Sequence, residues 1–162
     1  MKATALFCTL TLLLLAGCMH QNPTFTPAVS ANEVAAVVHL YRPEATTPGL
    51  AKPLRYSRPE IFVDDAPVGV VGYNEYLSFT VMPGKHTIRV TGLTPNARDW
   101  ELRDINRTFT ANAGETLYLR LKVEYNLKEM NLFQPKPSYI YFLTPVSAND
   151  AQYEIRHVSP VK

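Results

Sequence analysis

The stretch Thr116-Leu117-Tyr118-Leu119-Arg120-Leu121-Lys122-Val123-Glu124-Tyr125 decides the fold class. Leu117, Leu119, Leu121 and Val123 fall at every second position, opposed by Tyr118, Arg120, Lys122 and Glu124. Successive side chains of a strand point to opposite faces, so a period of two reads as a half-buried strand. Shorter runs repeat the pattern on either side. In Tyr76 to Val81, Leu77, Phe79 and Val81 share a face against Ser78 and Thr80. In His86 to Val90, Ile88 and Val90 point inward with His86, and Thr87 and Arg89 point out.

Further strands are expected at Ile61–Asp64 and Val68–Val71, around an Asp65-Ala66-Pro67 turn. Others are Trp100–Thr110, less regular, and Tyr139–Leu143 and Tyr153–His157. Val34 to Tyr41 (VAAVVHLY) is apolar on nearly both faces, as in a strand at the middle of a sheet. Arg42-Pro43 closes it, because proline has no N–H to give a ladder. Pro83-Gly84 supplies the fixed and the positive φ of a tight turn. Thirteen prolines and nine tyrosines fit many short strands and turns. The fold expected is all-β, an antiparallel two-sheet sandwich of eight or nine short strands with no helix, or else an open barrel.

The amino terminus sets a different kind of expectation. Lys2 precedes an apolar run from Ala5 to Ala16, too short to span a bilayer, which needs roughly 20 residues. A charged start, a short apolar stretch and small residues before a cut describe a secretory signal peptide. Leu15-Ala16-Gly17-Cys18 resembles the lipobox of bacterial lipoproteins. That resemblance implies cleavage between Gly17 and Cys18 and lipidation of Cys18, leaving the membrane as a partner through acyl chains. Met19, rather than Asp, follows the cysteine, which favours the outer membrane facing the periplasm. The expected organisation is a signal peptide at 1–17, a lipidated tether at 18–33 and a sandwich domain at 34–162.

The two cysteines are Cys8 and Cys18. One leaves with the signal and the other is alkylated, so the domain has no thiol for a disulfide, a nucleophile or a metal. Lys2 leaves too, and the remaining 15 basic residues face 14 acidic ones. So even a balance argues against a nucleic-acid partner. No HExxH run, calcium-loop run or GxSxG elbow is present, and no metal or cofactor is expected.

Four short motifs, Leu40-Tyr41-Arg42-Pro43, Ile61-x-Val63-Asp64, Val68-Gly69 and Pro83-Gly84-Lys85-His86, resemble an uncharacterised bacterial lipoprotein family. That family has a Y-R-P strand end, a V-D-G-x-x-V-G hairpin and a P-G-x-H turn. The middle part is also similar to the PEGA domain, a small β module of envelope proteins. The resemblance covers Val37 to Val90, implies a β-sandwich and membrane attachment, and brings no established activity. Asp65 stands where glycine is usual; aspartate tolerates a left-handed backbone better than most residues.

Several residues carry more than one reading. Arg42 offers a planar fork to a carboxylate or phosphate, or else a strand-end ion pair with Asp64. His86 is either a hydrogen-bonded core histidine or, with a nearby carboxylate, the base of a periplasmic hydrolase. Asp64-Asp65 reads as a turn pair or a calcium site. Lys52, Arg55 and Arg58 surround Tyr56 in the long proline-rich loop from Glu44 to Pro59, which makes this loop the first candidate for binding. Leu127, Met130, Leu132 and Phe133 form a second apolar loop, a cap or a docking site. Together these features predict a non-catalytic module for an envelope protein or glycan, with the hydrolase as the alternative.

Overall fold

The computed structural model describes Phe25 and residues 34–45, 52–129 and 137–162. Gly17 and Cys18, and with them the expected signal and lipidation site, lie outside these residues, as do Met130, Leu132 and Phe133. Among the described residues nine strands and one helix follow in order: β1 (Ala36–Arg42), β2 (Glu60–Val63), β3 (Ala66–Val70), β4 (Glu75–Val81), β5 (Gly84–Thr91), β6 (Ile105–Ala111), β7 (Thr116–Tyr125), β8 (Tyr139–Val146), α1 (Ala148–Ile155) and β9 (Ser159–Pro160). One sheet has the order β8-β7-β1-β4-β9 and the other β3-β2-β5-β6. Val38 and Leu40 of β1, Leu119 and Leu121 of β7 and Leu143 of β8 meet Ile61, Val63, Ile88 and Val90 of the second sheet in one core. The all-β sandwich follows directly from the alternation in the sequence.

β1 is buried at every position because both of its edges and both of its faces are covered. Its inward side joins the main core, and its outward side lies under α1, where Tyr41, Tyr118, Ala151, Ile155 and Val158 form a second cluster. The first sheet departs from the expected antiparallel arrangement. β1 runs antiparallel to β4 but parallel to β7, and β4 runs parallel to β9. Parallel neighbours need a long crossover. The whole second sheet separates β1 from β7 in the chain and supplies it.

Three further expectations are corrected. Tyr153–His157 is not a strand: Ala148–Ile155 is helical, with the Ser147 hydroxyl accepting from the Asp150 N–H at its N-cap. Ala151 and Ile155, four apart, are the pair it buries. The irregular strand begins only at Ile105, and Trp100 enters the core from a loop. The first hairpin turns on Asp64-Asp65 rather than on Ala66-Pro67, with φ of 49° and 64°. Positive φ at both central residues is the backbone of a type I′ turn.

Phe25 belongs to the stretch expected to be a tether, and its ring packs edge-on against both His39 and Tyr76, with centroids 5.0 Å apart in each case.

Candidate functional site

The part of the β1–β2 loop that leads into β2, residues 52–59, is organised from below by Arg42. The side chain leaves the last position of β1 and is 1% exposed. Its Nη1 donates to the Ser57 carbonyl at 3.0 Å and to Ser57 Oγ at 3.2 Å. Its Nη2 donates to the carbonyls of Pro53 and Leu54 at 3.1 and 2.8 Å. The rings of Tyr73 and Trp100 lie 5.7 Å from the guanidinium carbon. Burial pulls its pKa down to about 10, so the group remains a cation at neutral pH. No carboxylate comes within ion-pairing distance of it among the described residues, and the expected pair with Asp64 does not form. Arg42 is therefore not a surface recognition fork. It is the clamp of the loop.

The clamped turn carries strain. Leu54 has φ of 47°, a conformation that L-residues with a branched side chain rarely adopt. Its carbonyl accepts from Arg42, from the Ser57 N–H at 3.1 Å and from the Ser57 hydroxyl at 2.8 Å. Three donors on one oxygen over-determine the turn, which is how an unfavourable backbone conformation persists. Arg58 N–H donates to the Arg98 carbonyl at 2.7 Å and Arg98 N–H returns to Arg58 at 2.9 Å, joining this loop to the one after β5.

Above this support lies an open depression of about 650 Å³, lined by Lys52, Arg55 and Tyr56 from the first loop, Asp99 and Glu101 from the second, and Tyr139 at the start of β8. Tyr56 is 78% exposed, with the Arg55 guanidinium 5.9 Å from its ring centre. Lys52 is paired with Glu44. Tyr139 stacks on Tyr125, and its hydroxyl pKa is raised by burial and then by Tyr125 and Glu101. The depression thus offers two aromatic surfaces, two cations and two carboxylates. Such a set can stack against a ring and hydrogen-bond its substituents. Of the basic residues expected here, Lys52 and Arg55 line it with Tyr56, whereas Arg58 turns aside to Glu75 Oε1 at 2.7 Å. Asp99, Glu101 and Tyr139 escaped sequence reasoning because they reach the loop only through tertiary contact.

His86 lies apart from this platform. Its Nδ1 is 2.6 Å from Asp64 Oδ2 and its Nε2 is 2.7 Å from the Met82 carbonyl. The Asp64 hydrogen bond holds the imidazole pKa above its ordinary value, and the same contact holds the Asp64 carboxyl below its own. With both ring nitrogens engaged, His86 has none left to take a proton from a nucleophile. The remaining Asp64 oxygen accepts from the Thr87 N–H at 2.8 Å. This pair closes the β2–β3 hairpin onto β5. Among the described residues no group of three or more His, Cys, Asp or Glu converges as a metal site.

A second groove, about 490 Å³, runs between α1, β7 and the end of β1. Its charges answer one another: Arg120 meets Glu154 at 2.6 Å, Tyr41 donates to the other Glu154 oxygen at 2.8 Å, and Lys122 meets Glu124 at 2.8 Å. The two contacts to Glu154 pin α1 to the sheet.

Comparison with curated proteins and with solved structures gives no match. A family model described as "Protein of unknown function (DUF2846)" matches residues 32–132, from just before β1 through the end of β7. It takes in Arg42, the clamped loop and the Asp64–His86 pair, but not β8 or α1. With well over half of its length matched, the chain belongs to the DUF2846 family.

Proposed function

We propose that this protein is a lipid-anchored, non-catalytic module of the bacterial cell envelope that binds a protein or glycan at the Lys52–Tyr56 platform. The observation that carries the binding reading is the clamp. A buried arginine and a left-handed leucine hold the turn at residues 53–57 in place, and that turn leaves a large aromatic side chain in solvent. Rigid presentation of an aromatic lowers the ordering cost of binding. The anchoring part of the reading rests on Leu15-Ala16-Gly17-Cys18 and on the resemblance to lipoproteins. Met19 favours the outer membrane, facing the periplasm.

Two measurements in intact cells test it. Palmitate labelling is expected for the wild type and lost in Cys18→Ser. A photo-crosslinking residue at position 56 is expected to give a defined adduct to protein or to peptidoglycan, while the same residue at Leu93, a still more exposed loop position, gives none. Unlabelled wild-type protein rejects the anchor. Equal adducts at 56 and 93, or none at 56, reject the platform.

A further inference from the structure

Two sheets have four edges, and three of them are blunted. β9 is two residues long and ends on Pro160. β3 contains Pro67 and Gly69, the latter at φ of 146°, and β2 bulges against it between Ile61 and Phe62. β6 carries the exposed Arg107 beside its centre, a charge on the edge itself. Proline, bulges, brevity and charge are the devices that keep sheet edges from pairing with another chain.

β8 has almost none of them. Tyr139 to Val146 (YIYFLTPV) contains no charge and no glycine, and its one proline, Pro145, is next to last. Its inner side pairs with β7 along all eight residues, and no described strand pairs with its outer edge. Tyr139, Tyr141 and Leu143 face the core, while Ile140 is 44% exposed and Phe142 partly so. An unprotected edge of this length and composition is a template for another strand.

We infer that this edge pairs with the β8 of a second copy of this chain, antiparallel about a two-fold axis at Phe142, so that two five-stranded sheets become one of ten strands. Self-pairing sets like against like, and only a strand without charge accepts it without repulsion. Opposite residues of an antiparallel pair share a face, so this register places Phe142 against Phe142, Ile140 against Thr144 and Tyr141 against Leu143. It also leaves Pro145 at the last pair, where its missing N–H costs least. Lys122, whose ammonium lies 5.8 Å from the Phe142 ring centre, flanks the doubled apolar strip on each side. One strand covers less than the ~800 Å² per partner of a standard interface, so a weak dimer is expected, in the micromolar range or above.

Opposed Cα atoms in such a pair are about 4.5–5.5 Å apart, within disulfide reach. The test uses the purified full chain in detergent, with Cys8 and Cys18 replaced by serine. Under mild oxidation Phe142→Cys is expected to yield a covalent homodimer, while Arg107→Cys on the β6 edge stays monomeric. Phe142→Lys is expected to abolish dimers in sedimentation at the highest workable concentration, with the circular-dichroism spectrum unchanged. Should Phe142→Lys unfold, Ile140→Lys, at an already exposed position, replaces it. Equal crosslinking at 107 and 142, a wild type monomeric throughout, or dimers unaffected by the lysine variants overturn the assignment.

Discussion

The Arg42 guanidinium and the Leu54 carbonyl oxygen meet at 2.8 Å beneath a loop whose top is open to solvent. A cation buried to this degree is tolerated because four acceptors surround it. Lysine retains the charge but not the planar fork. Arg42→Lys is therefore expected to lose about 2–4 kcal/mol of stability, as unmet carbonyls and a poorly solvated ammonium replace four hydrogen bonds. Chemical denaturation reads the loss, and limited proteolysis between residues 52 and 58 should accelerate. A variant as stable as the wild type would remove the clamp from consideration.

His39 titrates against the fold. It is fully buried, with Nδ1 2.7 Å from the Ser78 hydroxyl and Nε2 without a partner, and burial pulls its pKa down to about 4. The unfolded chain binds a proton near pH 6.5 and the folded one does not. Stability is then complete above about 6.5 and falls as the pH drops towards 4, by up to roughly 3 kcal/mol. Replacing His39 by Gln should flatten that slope between pH 6.5 and 5, whatever its effect at neutral pH. Melting temperatures over this range decide it.

His86 behaves in the opposite sense. Its pKa is raised by Asp64, so its contribution is present below about pH 6.5 and is lost as the pH rises through the folded value. Asp64, with its pKa lowered, contributes above its ordinary value near 4 and loses that contribution as the pH falls further. The ion pair is thus strongest between these limits. Asp64→Asn keeps a residue suited to φ of 49° but removes the charge. The expected result is a lower melting temperature at pH 5.5, a smaller loss at pH 9, and no gain or loss of a catalytic signal.

Gly92 stands just after β5, where the backbone passes Trp100. A β-carbon there would collide with the Trp100 carbonyl oxygen and crowd its side chain. Backbone cannot move aside as a side-chain tip does, so Gly92→Ala is expected to cost about 3 kcal/mol or more. A melting temperature within a degree or two of the wild type would show that the loop gives way.

Strands were legible wherever one face met the core and the other met water. The leucines of β7 and the Leu77, Phe79, Val81 series of β4 mark their strands without any tertiary information. β1 was legible as a central strand because it is apolar on nearly both faces up to Tyr41, yet its parallel neighbour was not, since direction leaves no trace in a pattern of period two. Helix α1 hid behind its brevity. Ser147 and Asp150 spell an N-cap, but only Ala151 and Ile155 are buried, too few to outweigh the aromatic Tyr153. At the candidate site the loop residues Lys52, Arg55 and Tyr56 could be singled out from their spacing. The role of Arg42 could not, because three of its four acceptors are backbone carbonyls and a one-letter code does not display them.

The place of β1 has a mechanical consequence. A pull entering through residue 34 runs along the axis of a strand locked on both sides, to β4 over seven residue pairs and to β7 over five. Such a load shears many hydrogen bonds at once. The opposite end of the chain meets the sheet through β9, which has only two pairs to resist a load. A domain tugged from its amino-terminal side is held by its stiffest member, and one tugged from the other side by its weakest.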